Sequence, residues 1–163
     1  MRKNHLDSGF TLVEVVVTLA ILGIIAMVAV PNIKTWQESY TLRSASQEVY
    51  AMLMQAKTEA MKRNRNCRVE FGKNGATGIQ ICTGATVSCA AATTFKQSQL
   101  PTGATFTGGG GDGCPSLGAG GAFAFRANFL PVNPQFTCGS VYVTVGGQTS
   151  RVNINNAGNI TIF

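Results

Sequence analysis

The chain has 163 residues, with 13 Lys and Arg against 7 Asp and Glu for a net charge of +6, a hydrophobic fraction of 45% and a charged fraction of 12%. That length suits one modest domain with a real core rather than a multidomain enzyme. Low charge beside abundant apolar residues is the reverse of the disordered signature, so the chain is expected to fold. Composition does not say where the excess positive charge lies.

Residues 1–9, MRKNHLDSG, form a polar leader with Arg2 and Lys3 near its start. From Phe10 to Val30 follow 21 residues, 17 of them apolar. As a helix rising ~1.5 Å per residue this run covers about 30 Å, the hydrocarbon thickness of a bilayer, and it is expected to span a membrane. A cleaved secretory signal would carry a shorter apolar region of about 7 to 15 residues, with its small-residue cleavage site behind it. Here the small pair Ser8-Gly9 comes in front. Glu14 interrupts the run, and unpaired at membrane depth it costs about 2.5–3.5 kcal/mol, so it must reach headgroup water or meet a cation. Gly23 weakens the helix interior by about 1 kcal/mol relative to Ala. Pro31 removes a backbone donor and leaves the Met27 carbonyl without its helical partner, so the two residues bracket a soft segment.

The string Gly9-Phe10-Thr11-Leu12-Val13-Glu14, behind a basic leader and opening a long apolar helix, resembles the processing site of the type IV pilin and pseudopilin superfamily. The resemblance implies that a prepilin peptidase cuts between Gly9 and Phe10, that Phe10 becomes an N-methylated terminus, and that Glu14 is the assembly carboxylate. A buried carboxylate becomes tolerable when paired, and the freed amine of Phe10 on a neighbouring subunit would be the cation that sets its register. The resemblance further implies that the helix loses helicity between Gly23 and Pro31 when packed in a filament. Its partners would be other major or minor pilins or pseudopilins and the peptidase, which is also the methyltransferase. Its place would be the bacterial inner membrane, single-pass with the head in the periplasm, and then a type IV pilus or type II secretion pseudopilus.

Beyond Pro31 the pattern turns amphipathic. Leu42, Ala45, Val49, Met52, Leu53, Ala56 and Ala60 recur at spacings of three and four, which predicts a helix over residues 31–66, ending near Arg65, with its stripe packed on a sheet. Lys34, Glu38, Arg43, Glu48, Lys57 and Glu59 are expected on its wetted surface. Residues 67–163 read as a β-rich head, with runs at Arg68–Phe71, Gly78–Cys82, Ala122–Phe125, Val141–Val145, Ser150–Ile154 and Asn159–Phe163. Gly146-Gly147 and Asn155-Asn156-Ala157-Gly158 are hairpin connectors, so the chain should end in an antiparallel meander. Residues 101–121 hold nine glycines and read as a loop. The loop lacks the Gly-Lys-Ser/Thr ending of a phosphate cradle. Its single acid, Asp112, is too little for calcium.

The expected fold class is therefore α+β, a long N-terminal α-helix packed on a C-terminal antiparallel β-sheet head. The stretch Leu53-Met54-Gln55-Ala56-Lys57-Thr58-Glu59-Ala60-Met61-Lys62-Arg63 is similar to the Leu-x-x-Ala-Arg-x-Glu-Ala-x-x-Arg pattern of the GspH/FimT/FimU branch of minor pilins, with Lys57 where Arg is usual. With the C-terminal meander, this places the resemblance in that branch.

All five cysteines lie beyond the apolar run, in a segment expected to meet an oxidising compartment. Two bridges among five cysteines leave many pairings open. The pairing favoured here is Cys82 with Cys89 across a short loop and Cys114 with Cys138 around the glycine-rich region, with Cys67 a buried thiol. No CxxC pair occurs and no histidine accompanies the cysteines, which argues against zinc; no metal or other cofactor is expected. The single histidine, His5, falls in the leader, and the remaining acids are not paired with a nucleophile or base, so an enzyme is not expected.

Lys57, Lys62, Arg63, Arg65, Arg68 and Lys73 gather within 17 residues, opposed by Glu59 and Glu70. Cations at a helix C-terminus complement its dipole, and Asn64 or Asn66 can cap it. The alternative is a phosphate-binding patch in which Lys62, Arg63, Arg65 and Arg68, with Arg151 from the meander, contact DNA backbone. Some FimT-type proteins bind DNA during natural transformation through a Gly-Arg-x-Arg pattern, which here reads Ser150-Arg151-Val152-Asn153 and has only one Arg. Phe123, Phe125, Phe129 and Phe136 alternate as a sheet core does, not as a stacking platform. Removing the leader takes two basic residues and one acidic one, so 13 and 7 become 11 and 6 and the mature charge is +5. If the cut lies after Gly9, Gly9→Val should accumulate as the uncleaved chain, and intact mass separates this outcome from a terminus elsewhere.

Overall fold

The computed structural model describes residues 9–73, 76–84, 89, 93–109, 114–128, 130 and 138–163, and of residues 29–32 the backbone alone. The chain divides into two compact units, Met1–Gln37 and Glu38–Phe163. One helix assignment, α1 (Leu12–Lys62), runs through both. In the first unit, from Leu12 to Val28, the helix is apolar all round but for Glu14 and Thr18. In the second it carries a stripe: Leu42, Ala45, Val49, Met52, Leu53, Ala56 and Ala60 are all buried, and the three alanines let the helix approach the strands closely.

The helix stops earlier than its amphipathic pattern suggested, at Lys62 rather than Arg65. Asn64 adopts φ 48°, its amide donates to the Met61 carbonyl at 3.1 Å, and the Arg65 amide reaches back to the Ala60 carbonyl at 3.2 Å. These two bonds form a Schellman motif with Asn64 as the left-handed cap residue, a conformation that asparagine tolerates better than most. Arg65 thus lies past the cap.

The head contains eight strands: β1 (Cys67–Phe71), β2 (Gly78–Thr83), β3 (Thr93–Gln99), β4 (Thr105–Thr107), β5 (Ala122–Phe125), β6 (Gly139–Val145), β7 (Gln148–Ile154) and β8 (Ile160–Ile162). They form two antiparallel four-stranded sheets, ordered β3-β2-β1-β5 and β4-β6-β7-β8, where the sequence suggested one. One core serves both. Val69, Phe71, Ile79 and Ile81 of the first sheet and Val141, Val143, Val152 and Ile154 of the second join the helix stripe in a single buried cluster. Phe71 and Phe106 meet across the sheets with ring centroids 5.5 Å apart, and Phe123 packs edge-on to Phe125 at 5.1 Å.

Two strands depart from the sequence reading. β3 (TTFKQSQ) is mostly exposed along its length, so it has no apolar alternation to announce it; it is an edge strand held by backbone pairing to β2 and by the Ser98 hydroxyl donating to Glu48. β4 lies inside the stretch taken as a glycine-rich loop. Its three residues pair with β6 and turn Phe106 into the core between exposed threonines, too short a run to register beside so many glycines. Asp112, Phe129 and Phe136 lie outside the described residues, as does the leader before Gly9.

Cys82 and Cys89 are bonded, both buried, and Cys114 is bonded to Cys138, 24 residues on. The second bridge sits where backbone bonds also join the segment before β5 to β6: the Leu117 amide donates to Ser140 and the Ser140 amide to Pro115. Cys67 is a free, buried thiol.

The C-terminal meander is tied to the helix at two turns. The Lys57 ammonium donates to the Gly158 carbonyl at 2.7 Å, and the Ser39 hydroxyl donates to Gln148 at 3.0 Å. Between β6 and β7 the two-residue turn Gly146-Gly147 has φ 56° and 85°, the doubly left-handed geometry that a tight hairpin requires. A Cβ on Gly146 would also be driven into the Glu38 carboxylate. Gly146→Ala should lower head stability by about 1–2 kcal/mol from backbone strain alone. Gly147→Ala, whose Cβ meets open space, should cost less; thermal unfolding of the two variants measures the difference.

Candidate functional site

Two regions carry the residues singled out by sequence: the start of α1 and its end. At the start, Thr11 precedes the first helical residue, and its hydroxyl oxygen accepts the Glu14 amide at 3.2 Å. Thr11 and Glu14 therefore stand as N-cap and third helical residue, the spacing of a capping box. This role was missed in the sequence reading, although Thr-x-x-Glu is its signature. Glu14 also lies in the first turn, where the helix dipole favours an anion. Thr18, another polar residue of the run, donates its hydroxyl to the Val15 carbonyl at 2.8 Å and needs no outside partner. Glu14 is then the one ionisable side chain from Leu12 to Val28. Its carboxylate meets no partner among the described residues.

Around it every large apolar side chain is uncovered, from 46% exposed at Val15 to 84% at Met27, with Phe10 at 82%. No single helix among the described residues is long and apolar enough to cross a membrane; Leu12–Val28 and Ile33–Lys62 meet that test only as a pair. Gly23 has open space around it, and both Gly23 and Pro31 fall within the α1 assignment.

At the helix end the cations are largely engaged. Arg63 bonds Glu59 one turn back and lies over the Phe95 ring at 5.3 Å. Arg68 donates to Glu70 at 2.9 Å and Lys73 approaches the same carboxylate at 3.7 Å. Glu59, expected on the wet face, is instead buried and pairs with the exposed Arg63, while Lys57 is held by Gly158. Of the cluster, Lys62 and Arg65 are left exposed without such a partner among the described residues. Arg151 does not join them through a shared strand: it stands on β7 in the other sheet, 4.6 Å from the Phe163 ring centroid. Phe123 and Phe125 are core residues rather than stacking surfaces.

Among the described residues Glu70 is the most heavily bonded acid of the head. Besides Arg68 and Lys73 it accepts the amide of Cys89 at 3.0 Å, so it ties β1 to the Cys82–Cys89 bridge. Burial pushes its carboxyl up, but the Cys89 amide, Arg68 and Lys73 together outweigh this and hold it below the ordinary 4.5. The Cys67 thiol is pushed up to about 11, first by burial and then by Glu59, with Arg63 opposing, so it is protonated at neutral pH. A groove of about 430 Å³ between α1 and the β7–β8 edge has Arg43 as its one ionisable side chain, among Ser39, Ser46, Gln148 and Thr149. Among the described residues no three His, Cys, Asp or Glu side chains gather as metal ligands.

Residues 4–30 match the prokaryotic N-terminal methylation motif, and residues 45–158 match the family described as type II transport protein GspH. The chain belongs to the GspH family. The type IV minor pilin FimU of Pseudomonas aeruginosa has the same fold, at 24% identity and a TM-score of 0.57 in one crystal form, over 75% of this chain and 92% of that one. A second crystal form gives 23% and 0.60, over 78% and 92%. The minor pseudopilin EpsH from the type 2 secretion system of Vibrio cholerae aligns at 13% identity and a TM-score of 0.52, over 75% of this chain and 95% of that one. None of the curated proteins matches the chain. Its fold is the one these minor pilin and minor pseudopilin structures share.

The depressed carboxyl of Glu70 dictates a pH dependence. Stability from such a group is present above its unfolded value and lost as pH falls through its folded value. Stability should therefore fall more steeply below about pH 4.5. Glu70→Gln should lower stability at neutral pH by about 1–3 kcal/mol and flatten the acid slope. Thermal unfolding at neutral and acid pH tests both parts, and an unchanged slope would dismiss the assignment.

Proposed function

We propose that this GspH-family chain is a minor pilin or pseudopilin that polymerises through its N-terminal helix after cleavage between Gly9 and Phe10 and methylation of Phe10. The observation that carries this reading is the uncovered apolar surface from Phe10 to Val28 with a single unpartnered carboxylate, Glu14, in its first turn. Fully burying one such side chain is worth roughly 1.5–3 kcal/mol, so water is the least favourable surroundings for this segment. Lipid satisfies it before assembly, as a single-pass anchor in the bacterial inner membrane with the head in the periplasm. Neighbouring subunits satisfy it afterwards. The amine released on Phe10 of an adjacent subunit supplies the cation that Glu14 lacks, and it does so in one axial register only. Gly23 and Pro31 let the helix yield between them as it packs.

The likenesses to FimU and to EpsH support a filament subunit of either kind, a type IV pilus or a type II secretion pseudopilus. The engagement of the helix-end cations in the head's own ion pairs favours assembly over DNA capture as their use.

Glu14→Ala should be processed normally yet reach sheared filaments at roughly a tenth of the wild-type amount or less. Stranding one partner of a buried ion pair costs about 3–5 kcal/mol. Immunoblots of the processed and filament fractions read the two steps separately, and normal incorporation would refute the register role.

A further inference from the structure

Trp36 is the single tryptophan of the chain and stands 70% exposed on α1, six residues beyond the apolar run. Ile33, one turn before it, is 59% exposed, and Lys34 is exposed as well. The head core ends at Leu42, so this segment belongs neither to the core nor to the apolar run. A tryptophan combines a large apolar body with one N–H donor, and its preferred surroundings are the headgroup layer of a bilayer, where both parts are satisfied at once.

Helix geometry puts it there. A straight helix at ~1.5 Å per residue would carry the Trp36 backbone about 9 Å past Val30, and the 41° bend between Leu12–Val28 and Ile33–Lys62 shortens that reach along the axis of the apolar run. Helical side chains lean toward the N-terminus, which brings the indole back toward the membrane by a few ångströms. The headgroup layer beyond the hydrocarbon is about 5 to 8 Å thick on each side. Lys34, with its long stem, can carry its ammonium to the same headgroup layer.

We propose that Trp36 is a lipid-interface anchor, its ring among the headgroups and glycerol backbones on the head side of the membrane. There it sets the depth of the helix before assembly. The proposal rests on reading Phe10–Val30 as the membrane segment. Leaving the bilayer for a filament then requires this ring to be extracted along with the apolar run, so Trp36 fluorescence reports where the subunit is.

The full chain, reconstituted into vesicles of phosphatidylethanolamine and phosphatidylglycerol, tests the proposal through that fluorescence. The expected result is co-flotation with the vesicles, emission shifted to the blue of a water-exposed indole, and stronger quenching by a lipid label near the glycerol backbone than by one near the acyl-chain terminus. Co-flotation with unquenched, unshifted emission overturns the anchor and leaves the membrane segment intact; the ring then faces water or is kept for a neighbouring subunit. Strongest quenching by the deep label also overturns it, by moving the segment's register. Failure to float refutes the membrane reading itself, and the anchor with it.

Discussion

The structure depends on an apolar surface that none of the described residues covers. From Phe10 to Val28 the helix presents large aliphatic side chains on all sides, and no sheet, loop or second helix of the described residues lies over them. A soluble domain cannot retain such a surface, because each of these side chains gains by leaving water. On the proposed reading the segment is completed by lipid and then by neighbouring subunits. Glu14 acquires its meaning from that setting. In the first turn it is favoured by the helix dipole and capped through Thr11, which secures the backbone but leaves the carboxylate itself to find a cation elsewhere.

The head answers the opposite requirement, since it buries an apolar core of its own. A single helix stripe of small and medium apolar residues supports two sheets, and the alanines at 45, 56 and 60 allow both to share one core. Charge is used inward here. Arg63 with Glu59, and Arg68 and Lys73 with Glu70, tie down three of the six cations in the cluster. Glu70 goes further by accepting the amide of a disulfide-bonded cysteine, so that one buried carboxylate connects the β1 strand, the Cys82–Cys89 bridge and two cations. Such a group is stable only while every partner is present, because a buried charge stripped of one partner is costly.

Much of this was legible before any coordinates. The seven stripe positions from Leu42 to Ala60 announced their burial through helical spacing, and the terminal hairpins through Gly146-Gly147 and the asparagine-rich connector. What was illegible shares one cause: it lacks a periodic apolar face. β3 pairs through its backbone at a sheet edge with polar side chains, and β4 commits only Phe106 to the core. The burial of Glu59 and Glu70 was hidden for the same reason, since an acid reads as solvent-facing until the cation and amide that hold it are known in space. At the helix start the Thr11 cap was readable from the Thr-x-x-Glu spacing alone.

By itself the sequence determined that this chain has an apolar helical terminus with one acid near its start, a following amphipathic helix and a cysteine-bearing β head, because those properties are local and follow from residue type and period. Only the tertiary structure decided that the head is two sheets on one core, that Asn64 ends the helix at Lys62, and that three of the six clustered cations pair with Glu59 and Glu70. Those outcomes depend on which groups meet across long separations in the chain, as Lys57 meets Gly158 and Glu70 meets Cys89, and such meetings are set by packing rather than by any pattern along the sequence.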